Sequence, residues 1–264
     1  MSYRATSAAA YEQSMGRWSR RLAEGFLDHC ALPAGAAVLD AGCGTGSLSA
    51  ALRRRDQWAR IAGLDLAETY LDAARAEVPG GDFRQGDMQA MPFADASFDA
   101  ALSLLVIAFV PDQAQALREL RRVTRPGGLV ALAMWDFWGG MPSMRLFADT
   151  AAALFPSGRA WRAQHYARLV GQPGQLAGLL EEAGLAGITE HDLPLRMDYA
   201  NFDAWIAPLR GNQGIIGPYL ASLSEADRAL FEVKLHEAWC AGAPDGPRSF
   251  AATARMALGR IPPQ

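Results

Sequence analysis

The 264-residue chain is longer than one average domain of about 150 residues and shorter than two. With 50% hydrophobic and 20% charged residues it can bury a full core, which excludes a disordered chain. Its 25 basic and 28 acidic residues leave a formal charge of −3, so it lacks the basic excess that holds a phosphate backbone, and no nucleic-acid partner is expected.

In chain order, Ala36 to Ala41 (AAVLDA) reads as a buried strand, and Leu48 to Arg55 as a helix after a glycine-rich turn. Ile61 to Leu66 is a second strand, followed by a helix over Glu68 to Glu77. Asp82 to Gly86 is a short third strand and Phe98 to Leu105 a fourth. A helix over Asp112 to Val123 is broken by Pro126-Gly127-Gly128, and Leu129 to Trp135 is a fifth strand. Strands without polar alternation, separated by helices, indicate a parallel sheet covered on both faces. The predicted class is therefore α/β, doubly wound.

The alternation loosens beyond Trp135. Asp136 to Gly171 is aromatic, Gly- and Arg-rich and helical in patches. Leu176 to Gly184 reads as a sheet-covering helix and Leu185 to Leu193 as a strand. Helices follow over Phe202 to Leu209, Tyr219 to Leu223 and Glu225 to Trp239, the last with a capping Ser224. Ser249 to Leu258 closes as a final strand. The expected organisation is a helical N-terminal segment (1–35), an α/β core (36–193) with an insertion (136–170), a helical lid (194–247), and a final strand and tail (248–264).

Cys30, Cys43 and Cys240 are odd in number and far apart. They form no disulfide framework and no metal-spaced pair, so free thiols, a cytoplasmic location and no metal are expected. The N-terminus lacks the charged-then-apolar order of a signal peptide. The longest apolar stretch, Ala100 to Val110, is about half of a ~20-residue membrane span and is interrupted by Ser103.

The most informative segment is Val38 to Ser49, VLDAGCGTGSLS. A strand ends at Asp40, glycines stand at 42, 44 and 46, and a helix begins. Such a turn lets the backbone approach a ligand, with helix N–H groups facing it. Asp65 ends the second strand 19 residues after Gly46, where its carboxylate can accept both hydroxyls of a ribose. A dinucleotide fingerprint needs a third glycine at 47, and position 47 is Ser.

The pattern D-x-G-x-G-x-G from Asp40 resembles the first motif of class I S-adenosylmethionine-dependent methyltransferases. Gly86-Asp87-Met88-Gln89-Ala90-Met91-Pro92-Phe93, followed by Ser97-Phe98-Asp99, is similar to a motif of the ubiquinone/menaquinone-biosynthesis-like (methyltransferase type 11) group. Arg122 to Gly128 and the Tyr11…Gly16-Arg17-Trp18 stretch match it further. The resemblance implies a Rossmann-like, mostly parallel seven-stranded sheet and S-adenosylmethionine as the methyl donor, with S-adenosylhomocysteine as product. It places Asp65 at the ribose, Asp87 and the Met88 N–H at the adenine, and Gly42, Cys43 and Gly44 beneath the methionine, with Gly46 and Leu66 also among the donor-binding residues. It gives Asp40 the loop and, through water, the ligand ammonium, which the backbone at Ser103 and Leu104 also meets. Tyr11 and Arg17 are implied at the methionine carboxylate.

The acceptor end is less legible. Three of the four histidines (His165, His191, His236) and five of the seven tryptophans lie from Trp135 onward, as an aromatic-lined acceptor pocket requires. His165 is the leading general-base candidate, because its insertion follows the fifth strand. Trp135, Trp138, Trp205 and Tyr219 are the expected acceptor contacts, with residues 199–245 roofing the pocket.

The expected activity is methyl transfer to a small or medium-sized, largely apolar O-, C- or N-acceptor, by a monomer or homodimer. Alternatives are a non-methylating cyclase or ligand sensor that retains the donor, and a nicotinamide-dependent oxidoreductase.

Overall fold

The computed structural model describes residues 7–166, 170–211 and 214–263, so positions 1–6 and 264 of the predicted terminal segments lie outside it. A short helix α1 (Ala8–Tyr11) runs through one π-helical turn (Glu12–Gly16) into α2 (Arg17–Cys30). Trp18, Leu22, Phe26, Leu27 and Cys30 are buried along one face of α2, the stripe that fastens it to the core.

The strands and helices then alternate: β1 (Ala37–Ala41), α3 (Ser47–Arg55), β2 (Arg60–Asp65), α4 (Glu68–Glu77), β3 (Asp82–Gln85), β4 (Phe98–Leu104), α5 (Gln113–Val123) and β5 (Thr124–Trp135). Helices α6 (Pro142–Leu154), α7 (Pro156–Tyr166) and α8 (Gln175–Glu182) precede β6 (Ala186–Tyr199). Then come α9 (Phe202–Ile206), a 3-10 turn (Ala207–Arg210), α10 (Ile216–Ser222), α11 (Glu225–Cys240) and β7 (Arg248–Arg260).

The seven strands form one sheet in the order β3-β2-β1-β4-β5-β7-β6. β1 to β5 are parallel, and β7 runs antiparallel to both neighbours. The chain reverses its direction of winding between β1 and β4. The crevice at the carboxyl ends of these two strands is where ligands of open α/β sheets bind.

The predicted α/β class and strand order of appearance hold, with two corrections. β5 begins at Thr124, not Leu129: Thr124 pairs with Phe98, and Leu129 with Ala100, so residues 125–128 bulge opposite Asp99. Pro126 and the two glycines are accommodated there because a bulge needs no ladder N–H. Asp99 anchors it, pairing with Arg125 and accepting the Ala37 N–H at 2.6 Å.

β6 likewise runs six residues into the predicted lid, pairing with β7 from Ala186↔Arg260 to Tyr199↔Arg248. Leu193, Met197 and Tyr199 are buried while Pro194, Arg196 and Asp198 are exposed, so period-2 alternation continues past the expected stop. Pro194 is tolerated because β6 is a sheet edge.

All three cysteines are free thiols, as expected. Among the described residues no helix is long and apolar enough to cross a membrane.

Candidate active site

A cavity of about 360 Å³ opens at the carboxyl ends of β1, β2 and β4. Its floor is the β1–α3 turn. Asp40, almost fully buried at the end of β1, accepts both the N–H of Ser49 at 3.0 Å and its hydroxyl at 2.7 Å. That carboxylate thus ties the first turn of α3 to the strand. Gly42 and Cys43 donate their N–H groups to the Leu64 carbonyl at 2.7 and 2.9 Å, which sets the turn against β2.

Gly44 lies in the left-handed region (φ +52°), and a Cβ there would meet no heavy atom within 4 Å. The open space above it is the cavity. Gly46 faces the other way: its backbone packs on Ala74 of α4, where a Cβ would come within 3.0 Å of the Ala74 Cα. Gly46 therefore lies outside the lining, and Thr45 takes its place there.

Asp65 ends β2 at the rim. Its Oδ2 accepts the Gly44 N–H and its Oδ1 the Ala67 N–H, both at 2.9 Å. Leu66 beside it is 67% exposed yet lines the mouth. Asp87 forms an Asx turn, accepting the Gln89 N–H at 2.8 Å, and also lines the cavity with Met88. Gln89 accepts the Asp112 N–H at 3.1 Å and so couples this turn to the cap of α5.

Burial pushes the Asp40 carboxyl up from 3.8 to about 7; the two Ser49 hydrogen bonds oppose this and the nearby Asp65 charge adds to it. Burial likewise raises Asp65. The Cys43 thiol is held well above its ordinary range by burial and by both carboxylates, so it stays protonated and unreactive.

A folded value above the unfolded one means that folding takes up a proton. The Asp40 contribution to stability is then complete below about pH 4 and is lost as pH rises through about 7. Ligand-free Asp40→Asn should therefore melt above the unsubstituted protein at about pH 8, with the gap narrowing as pH falls and closing below about pH 4. A pH-independent gap in thermal melts would show that Asp40 does not titrate in this window.

The N-terminal helices cover the site. Tyr11 lines the cavity, stacks near Tyr70 of α4 (5.5 Å between ring centroids) and bonds Ser19 at 3.1 Å. Glu12, which sequence reasoning passed over, accepts the Thr45 hydroxyl at 2.5 Å and pairs with Arg20 at 3.0 Å, latching this segment onto the glycine turn. Arg17 does not join it. It is exposed outside the lining, with its guanidinium 4.4 Å from the Trp18 ring centroid.

Leu104 lines the cavity, whereas the Ser103 side chain is fully buried in the sheet. Of the expected acceptor residues only Trp135 lines it. Trp138 is 43% exposed and packs edge-on against Tyr166. Trp205 stacks on Trp239 (5.0 Å, 13°), and Tyr219 packs on Trp161 (5.1 Å).

His165 is buried in α7 with its Nδ1 donating to the Trp161 carbonyl at 2.8 Å, an intrahelical bond, and lies outside the lining. The apolar end is instead built from Phe109, Met134, Phe137, Met141 and Met144, roofed by Pro208, Leu209, Ile215 and Ile216. Among the described lining residues are three carboxylates and no Lys, Arg or His.

Residues 39–132 match the family model described as a methyltransferase domain. Over 124 residues, 47% of the chain, this region is 42% identical to a malonyl-(acyl-carrier protein) O-methyltransferase of Erwinia pyrifoliae, covering 46% of that protein. The chain thus spans about half the length of the curated relatives it matches.

In fold the chain resembles phosphoethanolamine N-methyltransferase 2 of Haemonchus contortus, solved with S-adenosyl-L-methionine. The TM-score is 0.58 and the identity 16%, covering 97% of this chain and 57% of that one. A second likeness, at TM-score 0.53 and 20% identity, is to the 4+2 cyclase SpnF, covering 100% of this chain and 88% of that one. The seven-stranded sheet is accordingly the Rossmann-like methyltransferase fold.

Proposed function

We propose that the protein transfers a methyl group from S-adenosylmethionine to a neutral, largely apolar small molecule. The observation that carries this reading is the cavity lining: three aspartates and the glycine turn share it with methionines and aromatics, and no cationic side chain is among the described lining residues.

The donor end fits the donor. S-adenosylmethionine carries a sulfonium and an ammonium against one carboxylate, so a cation-free acidic pocket favours it electrostatically. The space over Gly44 admits a ligand against the backbone, and the buried Ser47 hydroxyl of the lining has no partner among the described residues. Asp65 is assigned the ribose hydroxyls, Asp87 and Met88 the adenine, and the Gly42–Gly44 backbone the methionine portion. The bound donor supplies an electrophilic methyl group on sulfur.

What this chain adds is placement. The apolar walls hold the acceptor and exclude water, and proximity alone removes a large part of the barrier to displacement. Among the described lining residues the proton acceptors are the three aspartates and not a histidine, so any base help to the acceptor comes from a carboxylate. The malonyl group named for the relatives carries a carboxylate. Burying that anion among Phe137, Met141 and Met144 is costly, and the Arg17 cation lines only the small adjoining pocket, which favours a neutral acceptor here.

Asp65→Ala should weaken S-adenosylmethionine binding roughly tenfold to a hundredfold, the worth of charge-assisted hydrogen bonds, as read by calorimetry. Unchanged affinity with an intact fold removes the ribose assignment. Leu209→Ala should lower turnover several-fold while leaving donor affinity within about twofold, because Leu209 roofs only the apolar end.

The function itself is tested by transfer of labelled methyl from S-adenosylmethionine to a panel of neutral phenols, quinols and amines beside acyl carboxylates. Labelled neutral products support the reading, and transfer to carboxylates alone overturns it. The likeness in fold to SpnF favours one second reading, a donor-retaining cyclase. It predicts donor binding with no transfer to any acceptor.

A further inference from the structure

The C-terminal end of α11 carries a cluster that methyl transfer does not use. His236 and Cys240 stand one helical turn apart on the same face. Ala241 then ends the helix in a left-handed conformation (φ 47°, ψ 40°), and the chain folds back so that Asp245 meets that face. The Cys240 Sγ, His236 Nε2 and an Asp245 carboxylate oxygen lie within 4.8 Å of one another. We propose that these three side chains form a binding site for a zinc-type divalent cation.

The geometry distinguishes such a site from a proton relay. In a Cys-His-Asp relay the two partners occupy opposite ring nitrogens. Here both face the same one: Sγ is 3.5 Å and Oδ2 3.6 Å from Nε2. The second separation is too long for a hydrogen bond. Tetrahedral zinc, with Zn–S about 2.3 Å and Zn–N about 2.0–2.1 Å, puts its sulfur and nitrogen ligands about 3.5 Å apart. The sulfur–nitrogen spacing is that of two ligands of one ion, and the Asp245 carboxylate closes on it by a small side-chain rotation, since its oxygen lies within 4.8 Å of the other two donors.

The donors are also held in place. Asp245 Oδ1 accepts the N–H of Phe202 at 3.0 Å, the indole N–H of Trp239 at 3.1 Å and the N–H of Gly246 at 2.8 Å, leaving Oδ2 to face His236. Phe202 packs edge-on against the His236 ring at 4.9 Å. Outer-shell hydrogen bonds of this kind orient metal ligands before the ion arrives. The mixture of thiolate, imidazole and carboxylate suits zinc or cobalt(II), not calcium or magnesium. Because Asp245 also bonds the first residue of α9, a bound ion clamps α11 to the start of the segment that roofs the cavity. The expectation of no metal rested on the spacing of cysteines alone, and Asp245 reaches this face only through the fold.

The test uses untagged, reduced, chelator-stripped full-length protein titrated with cobalt(II), then with zinc in competition. The expected result is one equivalent of cobalt(II) showing a thiolate-to-metal charge-transfer band, displaced by one equivalent of zinc. Cys30 and Cys43 are buried, so the band reports Cys240. Cys240→Ser should abolish it, and His236→Ala and Asp245→Asn should each weaken binding at least about tenfold. Asp245→Asn retains the Oδ1 acceptor, and melting of each metal-free variant checks the fold. Cobalt binding without the band, a band that survives Cys240→Ser, or no binding at all overturns the proposal. The stacked surface pair His29 and His191 (4.3 Å) offers no thiolate, so binding there counts against it.

Discussion

Gly44→Val should abolish S-adenosylmethionine binding while leaving a cooperatively folded protein. Two effects act together. At φ +52° a β-branched residue is strained, by roughly 1–2 kcal/mol for the left-handed region. Its side chain would also project into the one space a ligand has against the turn, since a Cβ there meets nothing within 4 Å. Any relief by backbone rotation would withdraw the Gly44 N–H from Asp65, disturbing a second donor contact. Gly35→Val supplies the control: its φ is +77°, it too has open space, and it lies outside the cavity lining. Calorimetric titration should find binding lost in the first variant and retained in the second. Normal affinity in Gly44→Val would remove the cradle from the assignment.

Trp205→Ala should destabilise the whole protein by about 3–5 kcal/mol, lowering its melting temperature by roughly 10 °C. The indole is 3% exposed, stacked face to face on Trp239 and edge-on to Phe202 at 5.8 Å. Removing it leaves a void between α9 and α11 that these rings cannot fill. This reverses the expectation that Trp205 touches the acceptor. A melt unchanged beside reduced turnover would restore that role; a collapsed melt confirms the packing role. From the segment expected to roof the cavity, Pro208, Leu209, Ile215 and Ile216 line it and Trp205 does not.

These two residues illustrate what the sequence carried. The β1–α3 turn was legible because its logic is local: a strand end, spaced glycines and a carboxylate at the next strand end are contiguous signals. The alternation up to Trp135 was legible for the same reason, and α4 has its expected bounds, Glu68–Glu77.

The acceptor end was not. A Trp buried against another helix and a Trp facing a ligand have the same hydrophobic spacing. Trp205 and Trp138 were therefore misplaced, while Met141, Met144 and Phe137 went unremarked. His165 was expected at the acceptor because it follows β5, but only the packed fold shows that it is buried in α7 outside the cavity lining. Glu12 was missed because its partner Thr45 is far along the chain. Even Pro126, read as a break, belongs to β5, since only pairing with β4 shows the bulge.

The position of β7 bears on how the chain folds. It follows β6 in sequence yet lies between β5 and β6, so those two strands share no ladder of their own. Until β7 has left the ribosome, β5 presents an open, almost wholly apolar edge, and β6 has no partner strand at all. Unpaired apolar edges of this kind recruit other chains. The sheet is completed by insertion of a late-synthesised strand that must find two partners at once. Nascent chains stalled before Arg248 should therefore be captured by holdase chaperones and digested rapidly by protease, and release of the last strand should convert them in one cooperative step.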